Sequence, residues 1–495
     1  MKITLIDSPL GKIRTDLLAI ALYGDQFSPL GTFIDRMLDG WLSKLIKQQQ
    51  FKGKVGDVKL LPTLGKFSFA NLLIVGMGEA KSCTLESFRK GAAAAIKTAE
   101  KIRAEKLTLE FHLPAGGTLD PLQAAQSASE GLWLGSYRFD RYKKSDKPKV
   151  AQVDFLIAGK EKNPAIRQGI HRGTILADAT CWARDMINTP ACDMTPKRMA
   201  EEAKKLRGLP GIKLKILEKS ELARLGMRSF LAVSQGSDQP PCLIHLHYRP
   251  TGKIKRRVAI VGKGVTFDSG GLSLKTPSTY METMKDDMSG GAAVLGICKA
   301  LAALKLPVEV HGIVAATENM PSGSADKPGD VVRAMMGKTI EILNTDAEGR
   351  LTLADALPYA IRQKPDLVID MATLTGACVV ALGELCAGIM GNDQGLIDNL
   401  IAAGKVAGER IWQLPLIEEY KEDIKSTIAD VKNTGGRYAG TITAGLFLQE
   451  FVEPTIPWAH VDIAGPAWSE KDTAYTPRGG AGFMVRTIIR FLEQS

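Results

Sequence analysis

Short apolar runs alternate with helical stretches over the first 160 residues, and this rhythm predicts an α/β domain. The predicted elements, in chain order, are strands Val58–Leu61 and Asn71–Val75, helix Leu85–Glu105, and strands Leu107–His112 and Val153–Ile157. The run Leu72–Gly78 ends in a Gly-x-Gly turn. Because the third glycine of a dinucleotide-binding fingerprint is missing, we interpret this turn as an ordinary strand-to-helix connection.

A long helix and a second series of strands follow. Residues Lys143–Lys149 are charged and contain a proline, and the pattern from Pro164 to Asn188 predicts one helix that ends before Thr189-Pro190. Beyond it the predicted strands are Leu214–Leu217, Cys242–Tyr248, Val258–Val261, Val308–Ala316, Leu367–Met371 and His460–Ile463. We predict a macro-like N-terminal α/β domain at residues 1–160, a linker helix at 161–188, and a larger C-terminal domain at 189–495 whose central mixed sheet is flanked by helices.

Length and composition agree with two soluble domains. The chain has 495 residues, more than one core usually holds, and is 45% hydrophobic and 24% charged. The longest mostly apolar region, Met371–Gly383, is shorter than the roughly 18 residues needed to cross a bilayer, so we interpret it as buried core or the wall of a site. No export signal is apparent, and we expect a cytoplasmic protein without a membrane partner.

The cysteines, the histidines and the net charge do not by themselves identify a functional site. The seven cysteines are scattered without a CxxC pair, which is typical of reduced thiols. His245 and His247 form the only close histidine pair, and without HExxH or a nearby third ligand the sequence disfavours a metal site there. The net charge of +10 and the basic clusters Arg141–Lys149 and Lys253–Arg257 leave DNA binding open, although such clusters are also common on solvated faces.

The stretch Val258–Lys275, VAIVGKGVTFDSGGLSLK, combines a buried-type strand with glycine-rich backbone and three charged side chains. Those side chains are Lys263, Asp268 and Lys275. Loops at the ends of sheet strands carry the sites of α/β folds, and glycines allow the backbone to approach a ligand closely. This stretch therefore predicts a functional site.

Two further segments bring carboxylates. Asp286 and Asp287 precede the predicted helix Ala292–Leu304, and adjacent acids at a helix start are by themselves typical of caps. The segment NTDAEGRL, residues 344–351, follows a predicted strand at Thr339–Leu343. If it is extended, Asp346, Glu348 and Arg350 project to one side, and carboxylates held so close together require a compensating cation.

Together these segments supply two lysines, an arginine and four candidate carboxylates, which are Asp268, Asp287, Asp346 and Glu348. This set suits two divalent metals that share bridging carboxylates rather than one histidine-bound ion. Two such ions lower the pKa of a water molecule and polarise a carbonyl, which indicates peptide hydrolysis. The chain has no GxSxG elbow, no Cys/His motif and no P-loop. A two-metal phosphoesterase and a non-enzymatic DNA-binding protein with an incidental metal site are the alternatives.

The ordered motifs resemble those of the leucyl aminopeptidases, also called cytosol aminopeptidases, a family of two-metal exopeptidases. The motifs are VGKGVTFDSGGLSLK, MKDDMSGGAA, ENMPSGSADKPGDVV, NTDAEGRLTLADAL and MATLTGACVVALG, and NTDAEGRL is highly specific to the family. Asn188-Thr189-Pro190 and the late WAHVDIAG, Trp458–Gly465, extend the likeness. The N-terminal domain is similar only in size and strand rhythm.

The resemblance implies five metal ligands, which are Lys263, Asp268, Asp287, Asp346 and Glu348. Asp268 and Glu348 would bridge the ions, Lys263 would bind as a neutral amine beside Asp287, and Asp346 would complete the second site. Asp286 is the alternative to Asp287, because this chain carries one more residue after Lys275 than the common pattern. Lys275 would polarise the scissile carbonyl, while Arg350 would hold a bicarbonate ion that shuttles a proton.

The resemblance also implies how substrates bind. The free amino group of a short peptide would coordinate the metal nearest Lys263. The peptide backbone would be held by Thr373, Leu374 and Gly376, and Met284 would line the pocket for the first side chain. We expect removal of N-terminal leucine and other, mainly apolar, residues. The ions would be Mn²⁺ or Zn²⁺, with Mg²⁺ also compatible, and the assembly would be a homohexamer. Some bacterial members bind DNA, which keeps DNA as a second partner.

Overall fold

The computed structural model describes residues 1–114, 118–143, 149–157, 163–276 and 280–494. The chain divides into two compact units, Met1–Asp178 with Lys471–Arg478 and Ala179–Glu470 with Gly479–Ser495. Most of the charged segment Lys143–Lys149, and the predicted boundary at residue 160, lie outside the described residues. The predicted domain boundaries at residues 160 and 188 stay a prediction.

The first unit is an α/β fold. Its strands are β1 (Lys2–Ile6), β2 (Leu17–Tyr23), β3 (Gln26–Phe27), β4 (Val58–Pro62), β5 (Asn71–Gly76), β6 (Lys106–Glu110) and β7 (Gln152–Leu156). Its helices are α1 (Pro29–Met37), α2 (Trp41–Gln48), α3 (Leu85–Lys101) and α4 (Pro121–Gly135), and α5 (Asn163–Asn188) runs on into the second unit. The main strand order is β1-β7-β6-β2-β5-β4, parallel except for β4. Every residue of β2 is buried, as expected for a central strand covered on both faces.

The second unit contains more elements around a larger sheet. Its strands are β8 (Ile212–Glu218), β9 (Cys242–Tyr248), β10 (Arg257–Asp268), β11 (Glu309–Asn319), β12 (Val331–Arg333), β13 (Thr339–Glu341), β14 (Leu367–Ala372), β15 (Cys386–Gly391), β16 (Arg410–Gln413), β17 (Val431–Lys432), β18 (Trp458–Asp462), β19 (Trp468–Ser469) and β20 (Gly479–Gly480). Its helices are α6 (Pro196–Lys204), α7 (Lys219–Arg224), α8 (Arg228–Val233), α9 (Ser289–Leu304), α10 (Glu348–Ile361), α11 (Gly376–Leu382), α12 (Gln394–Ala407), α13 (Gly440–Gln449) and α14 (Val485–Glu493).

The large sheet is mixed, in the order β16-β15-β18-β14-β10-β11-β9-β8. Strand β10 lies between β11 and β14 and is parallel to both, whereas β9 is antiparallel to β11 and β8, and β15 is antiparallel to β18. The predicted fold class is confirmed: there are two α/β domains, and the larger one has a central mixed sheet flanked by helices.

Helices α9 and α10 cover opposite faces of β10. A Cβ atom at Gly262 would lie only 2.5 Å from the carbonyl oxygen of Gly290 in α9, so this glycine permits close packing of strand and helix. The neighbouring Lys263 side chain instead lies against Gly349 of α10. Because successive strand residues point to opposite faces, the two helices cover opposite sides of the sheet, and α10 covers the side to which Lys263 points.

One helical stretch, Met281–Leu304, is long and apolar enough to cross a membrane by length and composition. However, 83% of its most apolar window is buried inside the protein. Such burial is what a core helix shows, and α9 lies within this stretch against β10 and β11.

A buried aspartate anchors α10 to its surroundings. The Asp355 carboxylate accepts hydrogen bonds from the backbone N–H of Phe230 in α8 (2.8 Å) and of Met335 after β12 (2.6 Å). Asp355→Ala would leave both donors unpaired, and we expect it to lower the free energy of unfolding by about 3 kcal/mol. Thermal unfolding measures this loss, and exposed Asp423→Ala is the matched control.

The same substitution has a pH signature. Burial raises the pKa of Asp355 to about 7. The folded state therefore holds a proton that the unfolded state releases at the ordinary pKa of an aspartate. The contribution of this carboxyl to the free energy of unfolding is full below about pH 4 and is lost as the pH rises through 7. We expect the stability difference between the wild type and Asp355→Ala to shrink from pH 4 to pH 8, and a difference that grows over this range would contradict the assignment.

Candidate metal centre

Charged side chains from four segments meet where β10 ends. Lys263 lies within β10 and Asp268 is its last residue, while Asp287 stands between a 3-10 helix, Met281–Asp286, and α9. Glu348 is the first residue of α10. The carboxyl ends of parallel strands lie at one edge of a sheet, the usual location of a site in an α/β fold.

Two lysines join the carboxylates in pairs. Lys263 Nζ lies 2.6 Å from Asp287 Oδ1 and 2.8 Å from Glu348 Oε1. Lys275 Nζ lies 2.8 Å from Asp268 Oδ2 and 2.5 Å from Asp346 Oδ1. All six predicted side chains are therefore in one cluster, in which only the Asp346 side chain is appreciably exposed, at 31%.

The geometry of the NTDAEGRL segment differs from the expectation. The extended conformation considered for residues 344–351 is wrong, because β13 ends at Glu341 and α10 begins at Glu348. The side chain of Asn344 accepts a hydrogen bond from the backbone N–H of Asp346 (2.9 Å), which turns the chain before the helix. Asp346 and Glu348 converge through this turn, and the helix N-terminus favours the negative charge of Glu348.

Asp287, rather than Asp286, lies against Lys263. Its Oδ1 atom also accepts from the Thr373 hydroxyl (2.8 Å), while its Oδ2 atom is buried and has no hydrogen-bond partner among the described residues. Asp286 is buried too, and burial raises its pKa to about 7. In the part of the chain that the structure describes, the Asp286 carboxylate forms no ion pair. This geometry favours the register that we predict.

The cluster is electrostatically strained without cations of higher charge. Burial raises the pKa of Asp268 to about 6 and raises that of Asp287 well above its ordinary value. Burial acts in the same direction on Glu348, but Lys263 and Lys275 outweigh it and leave the pKa of Glu348 lowered. Burial alone would lower the pKa of Lys263, yet the surrounding carboxylates raise it above its ordinary value. Protein groups alone thus keep Lys263 protonated, and only added positive charge can convert it to a neutral ligand.

An asparagine that the sequence analysis did not identify holds Asp268. Asn319, the last residue of β11, donates from Nδ2 to Asp268 Oδ1 (2.8 Å) and to the Thr345 carbonyl oxygen (2.9 Å). The backbone N–H of Gly270 donates to the same carboxylate oxygen (2.9 Å). Asn319 could have been identified from the sequence as an amide at the end of a buried strand, inside the ENMPSGSADKPGDVV motif.

The loop after β14 is tied to the cluster and to a second buried acid. The Thr373 carbonyl oxygen accepts from Lys263 Nζ (2.8 Å). The Leu374 backbone N–H and the Thr375 hydroxyl both donate to the carboxylate of Asp462, at 3.2 and 2.7 Å. Asp462 was not predicted as a site residue, although it lies in the WAHVDIAG motif as an acid at the end of a buried strand.

Two other predicted substrate residues lie near these segments. Gly376 is the exposed first residue of α11, and a Cβ atom placed there would meet nothing within 4 Å. Met284 is partly buried in the 3-10 helix that leads to Asp287. Their positions flank the cluster along the chain, and their contact with a peptide stays a prediction.

Arg350 is a buried cation with donor capacity to spare. Its Nη1 atom donates to the carbonyl oxygen of Asn433 (2.8 Å), and its Nε atom is buried without a hydrogen-bond partner among the described residues. Burial lowers the pKa of Arg350 to about 10, so the side chain remains charged at neutral pH. A buried guanidinium with a free N–H fits a small planar anion.

The residues present fit two divalent ions. Carboxylate oxygens of Asp268, Asp346 and Glu348 lie within 4.8 Å of one another. The unpartnered oxygen of Asp287 is a buried polar atom that requires an explanation, and a bound cation supplies one. Carboxylates with one lysine amine suit Mn²⁺, Zn²⁺ and Mg²⁺.

Comparisons with known proteins cover both units. The family described as "Cytosol aminopeptidase family, catalytic domain" matches residues 181–489, and its N-terminal domain matches residues 19–146. The chain is 46% identical to a probable cytosol aminopeptidase of Persephonella marina over 469 residues, 94% of each chain. It is 45% identical to one of Syntrophotalea carbinolica, covering 100% of both.

Solved structures give the same result. A tomato leucine aminopeptidase mutant superposes with a TM-score of 0.89 at 36% identity, covering 100% of this chain and 97% of that one. A bottromycin maturation enzyme in complex with Mn superposes with a TM-score of 0.86 at 38% identity, covering 97% of this chain and 99% of that one.

Proposed function

Since the chain belongs to the cytosol aminopeptidase family, whose members are two-metal aminopeptidases, we propose that it removes leucine and other, mainly apolar, residues from the N-terminus of short peptides. The observation that carries this proposal is the buried cluster of four carboxylates and two lysines at the end of β10. A cluster of this kind has more negative charge than its neighbours neutralise, so two divalent ions complete it.

Five residues would hold the ions: Lys263, Asp268, Asp287, Asp346 and Glu348. When bound, the ions polarise the scissile carbonyl and lower the pKa of the attacking water. Lys275 would donate a hydrogen bond to the carbonyl oxygen as negative charge develops there, a role supported by its place between Asp268 and Asp346. Asn319 would keep Asp268 oriented.

Arg350 would bind bicarbonate, which supplies a base for proton transfer when present. The buried, unpartnered Nε–H supports a small oxyanion at this side chain. The arginine itself stays protonated, so its part is to hold the anion and to stabilise charge rather than to exchange a proton.

Specificity for the first residue would follow from the metal cluster. A free α-amino group is a good metal ligand, whereas an internal amide nitrogen is not. The loop from Thr373 to Gly376 would hold the peptide backbone, and the link from the Thr373 carbonyl to Lys263 supports a fixed position for it. Met284 would contact the first side chain, which an apolar thioether suits.

A blocked substrate tests this explanation. We expect leucine-p-nitroanilide to be hydrolysed and N-acetyl-leucine-p-nitroanilide to be cleaved about 10³-fold more slowly or not at all, because acetylation removes the amino group that binds the ion. Release of nitroaniline measures both. Equal rates on the two substrates would contradict an exopeptidase, and cleavage of a phosphodiester but neither anilide would favour the phosphoesterase alternative.

We also propose the cellular setting that the relatives suggest. Relatives of this chain are named cytosol aminopeptidases, which supports a cytoplasmic location. A homohexamer is proposed from the family resemblance. Short peptides with a free N-terminus are the proposed partners, and Mn²⁺ or Zn²⁺ the proposed ions.

DNA binding is the second candidate function. A cavity of about 440 Å³ is lined by four basic side chains, Arg249, Lys255, Arg256 and Arg257, and the net charge is +10. Basic surface attracts phosphates without reading sequence. A gel shift of duplex DNA that weakens steeply with salt, and that Arg256→Glu abolishes, would support this function.

A further inference from the structure

Three potential metal ligands that the catalytic centre does not use lie together on the other half of the same sheet. His247 is on β9, and Glu309 and His311 are on β11. His247 pairs directly with His311 across the two antiparallel strands, and Glu309 lies two residues before His311. Because residues two apart on a strand point to the same face, all three side chains share one face of the sheet.

The ligand atoms are close enough to share one ion. His247 Nε2 lies 2.7 Å and His311 Nε2 3.8 Å from Glu309 Oε1, and one ligand atom from each residue lies within 4.8 Å of the others. Ligands bound at 2.0–2.1 Å around a tetrahedral ion are about 3.3 Å apart. The two observed distances bracket that value. The rings of His247 and His311 are stacked with an interplanar angle of 6°, so binding of one ion requires ring rotations that point both Nε2 atoms at it.

A chain of hydrogen bonds through His245 to Tyr359 orients His311. Its Nδ1 atom lies 3.0 Å from His245 Nε2, and His245 Nδ1 lies 3.1 Å from the Tyr359 hydroxyl. Donation along this chain, from His311 to His245 and from His245 to Tyr359, leaves a lone pair on His311 Nε2 facing Glu309. Metal-binding histidines usually donate their other ring N–H in this way.

The surroundings set the access and the affinity. The His247 side chain is 23% exposed, and Glu309 lines the basic cavity described above, so an ion can enter and retain water in a fourth position. Positive groups face the site, with Lys213 and Lys215 opposite His247 and His245 on β8 and Arg257 opposite Glu309 on β10. Their repulsion weakens binding of a divalent cation, and we expect micromolar rather than nanomolar affinity.

We propose that His247, Glu309 and His311 bind one transition-metal ion, with Zn²⁺ as the biological candidate, at a site separate from the catalytic centre. Two imidazoles and a carboxylate are a donor set that zinc takes in proteins. His311 and Asn319 lie eight residues apart on β11, about 26 Å, and Asn319 contacts Asp268 at the far end. The ion would therefore cross-link β9 and β11 rather than take part in hydrolysis.

The proposed site differs from what the sequence predicts for the histidine pair. The sequence disfavoured a metal role for His245 and His247 because no third ligand was near in the chain. The ligands come instead from β11, more than 60 residues later, and only strand pairing brings them together.

Metal counting tests the proposal. Wild type, His247→Gln and Glu309→Gln, all prepared with Mn²⁺ in the catalytic centre, are equilibrated with Zn²⁺, and total metal per chain is measured by mass spectrometry. We expect the wild type to hold one more ion per chain than either variant. Zn²⁺ should raise the melting temperature of the wild type by more than that of either variant, while the variants hydrolyse leucine-p-nitroanilide within about twofold of the wild-type rate under the same conditions. His171→Gln, at an exposed histidine, is the matched control and should behave as wild type.

The readout is independent of the catalytic ions, because it is a difference between chains that share the same catalytic centre. Equal metal content in wild type and both variants would overturn the proposal, whether the extra ion is absent from all or retained by all. His247→Gln changes a partly exposed side chain, and circular dichroism checks that both variants are folded.

Discussion

Glu348→Gln is expected to lower kcat/KM for leucine-p-nitroanilide by at least about 10³-fold, which corresponds to about 4 kcal/mol of lost transition-state stabilisation. The substitution preserves the size of the side chain and removes its charge. Glu348 is buried and lies 2.8 Å from Lys263, where it would bridge both ions. Without that charge the centre should bind at most one of them.

Two measurements separate this loss from misfolding. Metal content should fall from two ions per chain in the catalytic centre to one or none, while circular dichroism of the ion-free variant should match that of the ion-free wild type, because Gln preserves the size of the side chain. Glu419→Gln, at an exposed glutamate, should leave both activity and metal content unchanged. Full activity in Glu348→Gln would exclude the proposed ligand set.

Removal of metal is expected to have an effect of similar size. Dialysis against a chelator should abolish hydrolysis, by about 10³-fold or more, because the protein groups alone supply neither the Lewis acid nor the activated water. Added Mn²⁺ or Zn²⁺ should restore activity. Ca²⁺ should not, since the site includes a lysine nitrogen and Ca²⁺ takes oxygen ligands at longer distances.

The chelation experiment has an internal control. Glu348→Gln should show little further loss on chelation, because its residual activity no longer depends on a complete pair of ions. Activity that survives chelation in the wild type, with metal removal verified by mass spectrometry, would mean that the reaction proceeds without the proposed ions.

Much of the fold was predictable because burial leaves a regular pattern. Strand β9 was predicted with its observed bounds, Cys242–Tyr248, and α5 to within one residue. Strands β1 and β2 were not predicted. All seven residues of β2 are apolar, and a short uniformly apolar run does not distinguish a buried strand from a buried helix by periodicity.

The candidate site was predictable in composition but not in its contacts. Charged residues beside glycine-rich backbone in β10, and the specific motif around Glu348, identified the carboxylates and lysines. Asn319 and Asp462 act by holding other residues, and nothing in their local sequence indicates which partners the sheet gives them. The turn at Asn344 was missed for a similar reason, since the effect of one side-chain hydrogen bond depends on where the next helix begins.

The three contacts of Lys263 have a consequence for how the enzyme matures. Its ammonium group donates to Asp287, Glu348 and the Thr373 carbonyl, which uses all three of its protons. A neutral amine that binds an ion through its lone pair retains only two. Metal binding at the centre would therefore exchange a proton for an ion, so that low pH competes directly with metal supply. Loss of that proton would remove one of the three contacts, and loss of the contact with Thr373 would release the loop that we propose holds the peptide.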